Sequence, residues 1–254
     1  LPDKDVGLRP STPLNLISAA CAAWLAWLPG TAVSEEVRAV IELFTSQGCS
    51  SCPPADKLLG EFAKDPSIVA VTLPVDYWDY LGWKDTLAKA GYSERQRAYA
   101  RVRGDREIAT PQVVVNGIIP VVGSDLDAIE RAIKQTRKTV TIAPVSTSVS
   151  GDKLTVTVGA SNSEQNTGEV WICAMAEAVP VTIERGENTG RSMIYHNVSR
   201  RWVKVGDWNG KAATWSIPLR DVRQEGANIV AAIVQSGTAK KPGPVLGAAL
   251  TSLN

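Results

Sequence analysis

The stretch Phe44-Thr-Ser-Gln-Gly-Cys49-Ser-Ser-Cys52-Pro-Pro-Ala-Asp-Lys-Leu-Leu59 constrains this 254-residue chain more than any other. Before it, residues 37–46 form a short, mostly apolar run with β-branched residues, the pattern of a buried strand. After it, Ala55, Leu58, Leu59 and Phe62 share one helical face. Pro53 and Pro54 fit only the first turn of that helix, where no intrahelical donor is lost. Cys49 and Cys52 therefore fall where a strand hands over to a helix. Free backbone N–H groups and the positive helix end stabilise a thiolate at such a place, and a thiolate is the species that attacks a disulfide. Cys52, one turn on, is placed to resolve a mixed disulfide, and Ser50 and Ser51 are possible hydrogen-bond donors to the sulfur.

Two other readings of the pair remain open. It can be a permanent staple, although so short a loop restrains little of the unfolded chain. It can be half of a metal site, but structural zinc usually takes four Cys or His ligands. Only Cys173 and His196, both far along the chain, remain to complete a set, so no metal is expected.

The first residues read as an export signal. Lys4 and Arg9 precede the apolar stretch 14–30, and Gly30-Thr31-Ala32 supplies small residues for a cut after Ala32. Cys21 would leave with residues 1–32. The other three cysteines would then meet an oxidising compartment, periplasmic or extracellular, in which Cys49 pairs naturally with Cys52. A net charge of +1 gives no polybasic field for nucleic acid.

Residues 33–138 alternate strand and helix. A second apolar strand covers 67–75, and Ser93 with Gln96 suggests a capping box for a helix ending at Gly104. Two strands flank the Asn116-Gly117 turn, and a last helix opens at Ser124. The expected order is β-α-β-α-β-β-α. Residues 139–254 show strand signals and Gly/Asn-rich turns without a convincing helix, the pattern of an antiparallel β-sandwich domain. No glycine-rich dinucleotide fingerprint or P-loop occurs, and no organic cofactor is implied.

The strand–CxxC–helix stretch, followed by "ATPQVVVNG" at 109–117, resembles the thioredoxin superfamily over about residues 37–137. That resemblance implies a cis proline at Pro111, facing the cysteines and opening the third strand. It implies that the Thr110 backbone pairs with an extended substrate. It also implies thiol–disulfide exchange on exported protein thiols, with Cys49 as nucleophile and Cys52 as resolving thiol. Some thioredoxin-like oxidoreductases keep a buried acid behind the cysteines, and Glu42, inside the first apolar strand, is the candidate. The residues flanking and separating the cysteines, Gly48, Ser50-Ser51 and Pro53, depart from the thioredoxin motif. The segments "VDYWDYLGWKD" (75–85) and "RGENTGRSMIYHNV" (185–198) are similar to those of secreted bacterial proteins of unknown function that join such a domain to a β-rich part.

Residues 76–92 read as an insertion over one edge of the site, with Tyr77 and Trp78 as candidate substrate contacts. The rival functional class is a non-catalytic secreted binding protein whose CxxC is structural. A catalyst needs an accessible Cys49 sulfur beside a cis Pro111; a staple would lie buried under the 76–92 segment.

Overall fold

The computed structural model describes residues 36–163 and 166–253, which lie in one compact unit. The expected signal segment, with Cys21, lies outside the described residues. Strand β1 (Ala39–Thr45) is buried along its whole length. It leads to α1 (Pro53–Phe62), which has prolines at its first positions as expected. Strand β2 (Ile68–Pro74) runs parallel to β1. Helix α2 (Ala90–Arg103) ends at Gly104 in the left-handed conformation, φ 86°. Strands β3 (Gln112–Val115) and β4 (Ile119–Val122) form a hairpin, and α3 (Leu126–Thr136) follows. Both hairpin turn residues take positive φ, Asn116 at 51° and Gly117 at 70°, which is why that pair occupies the turn.

Two helix starts differ from the sequence expectation. The N-cap of α2 is Lys89, and Ser93 lies inside the helix with its hydroxyl on Asp76. Asp125, rather than Ser124, caps α3, accepting the Ala128 N–H at 2.9 Å.

The C-terminal part contains β5 (Val145–Ser150), β6 (Lys153–Val158), β7 (Gly168–Thr182), β8 (Ser192–Trp208), β9 (Ala213–Pro218), the single-turn α4 (Leu219–Val222), β10 (Ile229–Thr238) and β11 (Lys241–Ser252). These strands do not stand apart as a separate sandwich. Four of them continue the N-terminal strands in one mixed eight-stranded sheet, ordered β11-β10-β7-β8-β2-β1-β3-β4. The other three form a small antiparallel sheet, β5-β6-β9.

The physical reason is that β7 and β10 are apolar on both faces, so each face needs a cover. Ile172, Ala174, Val230 and Ala232 pack against Leu154, Val156 and Val158 of β6. Cys173, Met175, Ala231 and Ile233 share the opposite core with Val40, Phe44, Val71 and Leu73 of β1 and β2 and with Tyr92 and Tyr99 of α2. The seam between the halves is narrow in backbone terms. β2 and β8 meet at Thr72 and Val198, reinforced by Thr72 Oγ1 donating to the His196 carbonyl at 2.6 Å and Asn197 Nδ2 to the Ala70 carbonyl at 3.0 Å.

Side chains of β1 alternate between two cores. Ile41 and Leu43 face α1 and α3. Val40, Glu42 and Phe44 face α2, so Glu42 sits on the side of the sheet away from α1 and its cysteines. Its carboxylate is 1% exposed and takes both Arg95 Nε at 2.5 Å and Arg95 Nη2 at 2.9 Å. Tyr99 OH donates to it at 2.6 Å, and Gln235 of β10 bonds both Arg95 and Tyr99. Arg95 also lies over the Trp202 ring, 4.5 Å from its centroid. Burial opposes the arginine charge, but Glu42 outweighs it and lifts the Arg95 pKa above its ordinary value. Glu42 is thus a structural anchor between β1, α2 and β10. Glu42→Gln leaves the Arg95 charge buried and uncompensated, with an expected loss of about 3–5 kcal/mol in denaturant unfolding. A loss within experimental error would contradict this account of the network.

Candidate functional site: a covered disulfide at a helix start

Strand β1 ends at Thr45, and residues 46–52 carry the chain to the first turn of α1. Cys49 and Cys52 are joined as a disulfide, with Cα atoms 5.4 Å apart. Ser51 Oγ lies 3.3 Å from the Cys49 sulfur, as a hydroxyl able to donate to it. The Thr110–Pro111 bond is cis, and the Thr110 carbonyl oxygen lies 3.7 Å from the Cys49 sulfur. Gly123 makes this approach possible: a Cβ there would stand 3.0 Å from Pro111 Cβ and 2.9 Å from Leu43 Cδ1. The structure thus brings Cys49, Cys52, Thr110 and Pro111 together, with Trp78 beside them.

The site is closed. Cys49 is only 2% exposed and Cys52 is fully buried. Trp78 reaches over the ledge and donates its indole N–H to Thr110 Oγ1 at 2.7 Å. Its backbone and Cβ pack on Gly48, and its ring stacks on the exposed Tyr80. Tyr77 lies beside the ledge, donating to Gln96 Oε1 with its hydroxyl close to the Thr110 side chain. From the other side, Asn188 inserts its amide into the motif and donates to the carbonyls of Gln47 at 2.9 Å and Cys49 at 2.8 Å. Asp85 fastens the 76–92 segment below by accepting the Gln47, Leu87 and Ala88 N–H groups. Freeing the cover at Trp78 or at Asn188 breaks neutral hydrogen bonds whose net contributions are about 1 kcal/mol each. Trp78→Ala or Asn188→Ala should therefore speed reduction of the disulfide by dithiothreitol several-fold, followed by quenched alkylation of the released thiols. Unchanged rates in both variants would show that these groups do not limit access.

A buried acid does stand near the cysteines, but it is Asp56, one turn beyond Cys52 on α1. Its N–H donates to the Cys52 carbonyl at 3.1 Å. Asp56 is 2% exposed, and neither carboxyl oxygen has a hydrogen-bond partner. Burial drives its pKa up to about 8. The Thr45 hydroxyl opposes the shift, though its oxygen falls short of bonding geometry, and the nearby Asp85 adds to it. The signal in the sequence is an acid four residues after Cys52, on the buried face of α1 beside Ala55 and Leu59.

The folded-state pKa of Asp56 lies above the ordinary 3.8, so the folded form holds this proton more tightly than the unfolded chain. The associated stability is present at low pH and is lost as pH rises from about 4 toward about 8. Asp56→Asn, which cannot ionise, should melt higher than the native protein above about pH 8, by at least about 1 kcal/mol, and nearly equal to it at about pH 4. Parallel pH–Tm curves for the two proteins would refute an ionisable buried Asp56.

The remaining candidates fall elsewhere. Cys173 is in the core with Sγ 3.4 Å from Ser199 Oγ, and burial pushes its thiol up to about 12. Among the described residues no group of three or more His, Cys, Asp or Glu is placed to hold a metal ion. No helix among them is long and apolar enough to cross a membrane.

A cysteine pair at the β1–α1 junction, facing an X–Pro peptide that opens an antiparallel strand, defines a thioredoxin-like site. Residues 40–235 match the family described as protein of unknown function DUF1223, and the chain belongs to that family. The crystal structure of protein AGR_C_4864 from Agrobacterium tumefaciens is similar, with 32% sequence identity and a TM-score of 0.77 over 87% of this chain and 96% of that one. HBP35 of Porphyromonas gingivalis shares the fold, at 13% identity and a TM-score of 0.58 over 86% of this chain and 76% of that one. No curated protein matches the sequence.

Proposed function

We propose that this protein is a thiol–disulfide oxidoreductase for protein thiols in the periplasm or outside the cell. The observation that carries this reading is the Cys49 sulfur at the start of α1, 3.7 Å from the Thr110 carbonyl. A helix start favours the thiolate, and a backbone carbonyl beside the sulfur offers an extended substrate a place to pair. In the reducing direction the Cys49 thiolate attacks a substrate sulfur. A mixed disulfide forms and one substrate thiolate leaves. Asp56 takes the Cys52 proton, and the Cys52 thiolate attacks the Cys49 sulfur. The second substrate thiolate leaves, and the Cys49–Cys52 disulfide is restored. The oxidising direction reverses these steps, so electrons and protons balance either way. Trp78 must swing off Thr110 for the substrate to pair there.

A second reading is favoured by the burial of Cys49: a non-catalytic secreted binding protein whose disulfide is structural. Equilibration of the 49–52 pair in glutathione and dithiothreitol buffers separates the two. Exchange predicts a potential between about −270 and −120 mV. A value below about −300 mV, the range of structural disulfides, would abolish the oxidoreductase reading.

A further inference from the structure

Beside the disulfide, between α1 and the first residues of β8, lies a cavity of about 520 Å³, within the usual range for a bound ligand. It begins at Pro53, the residue after Cys52, and is lined by Lys57, Gly60, Arg191, Ile194 and His196. Its floor is built by close approach. Gly60 is a poor helix former in the last turn of α1, and a Cβ at that position would stand 2.6 Å from His196 Cδ2. The sole histidine therefore rests directly on the helix. The carbonyl of His196 is taken by Thr72, while its imidazole has no hydrogen-bond partner among the described residues.

The charge of the cavity is one-sided. Its one carboxylate, Glu61, is paired with Lys64 at 2.7 Å and interacts more weakly with Lys57 and His196, so the cations outnumber it. Lys57 and Arg191 are exposed and form no ion pair with a described residue. Ile194, 56% exposed, adds an apolar wall. Arg191 also continues the cover of the active site, since its N–H donates to the carbonyl of Asn188, the residue that grips Cys49.

We propose that this groove binds an extended polypeptide segment carrying carboxylate side chains and an apolar residue. The segment would lie alongside the disulfide, with its carboxylates on Lys57 and Arg191 and its apolar side chain on Ile194. The assignment of a polypeptide as occupant rests on the exchange reading above; the preference for acidic segments rests on the groove itself.

The test uses the intact protein and two short cysteine-free peptides with a fluorescent label, one with Glu and Leu, the other with Lys and Leu in the same order. Fluorescence anisotropy should show the acidic peptide binding at least about tenfold more tightly, with the difference shrinking as salt is raised. Lys57→Glu combined with Arg191→Glu, both at exposed unpaired positions, should abolish or invert the preference. Equal affinity for the two peptides, no binding of either, or a preference that survives the double variant would each overturn the groove assignment. Failure of the disulfide to exchange with any thiol would instead remove the oxidoreductase reading, and the anisotropy result would still decide the groove.

Discussion

Burial of β1 on both faces is the constraint from which the rest of the structure follows. All seven of its residues are out of water. One face closes against α1 and α3 and the other against α2 and the far half of the sheet. A strand so placed cannot carry a charge without a partner, because an uncompensated buried ion is costly. Glu42 therefore specifies its surroundings. Arg95 must meet it, Tyr99 and Gln235 must satisfy what remains, and Trp202 must cover the guanidinium. Through that network the central strand, α2 and β10 hold one geometry, and the β1–α1 junction carrying the cysteines is set by it.

The same architecture explains how the Cys49–Cys52 disulfide comes to be closed in. The cover is drawn from two insertions far apart in sequence, the 76–92 segment and the turn carrying Asn188. Each makes specific hydrogen bonds to the backbone or ledge around Cys49. The bonds to this cover are neutral apart from those of Asp85, so its separation from the motif costs far less than unfolding the sheet. Beneath it, an acid without a hydrogen-bond partner sits on α1 in surroundings that favour its protonated form.

Much of the N-terminal fold was legible from local chemistry. The prolines after Cys52, the Asn116-Gly117 pair and Gly104 mark a helix start, a hairpin turn and a helix end, because each residue suits a backbone conformation that few others adopt. The capping box at Ser93 was a coincidence of spacing, since that hydroxyl serves Asp76. The acid behind the cysteines was harder to read. Glu42 and Asp56 both lie within a few residues of the motif, and only the alternation of β1 decides that the first faces α2 and away from the cysteines. The run Val-Trp-Ile-Cys-Ala-Met-Ala at 170–176 carried a usable signal: it is apolar on both faces, which marks a strand covered on both sides rather than one face of a free-standing sandwich.

By itself the sequence determined the β-α-β-α-β-β-α order and the Cys49–Cys52 pair at a helix start, since these depend on residues close along the chain; the proline opposite the pair came from the resemblance of residues 109–117 to the thioredoxin superfamily. Tertiary structure alone decided that the two halves share one sheet, that Trp78 and Asn188 shut the cysteines in, and that His196 rests on Gly60 beside an unpaired Lys57 and Arg191. Those outcomes depend on which surfaces meet across about thirty to more than a hundred residues. Apolar faces of similar composition can pair in many ways, and the close fit of particular side chains selects among them.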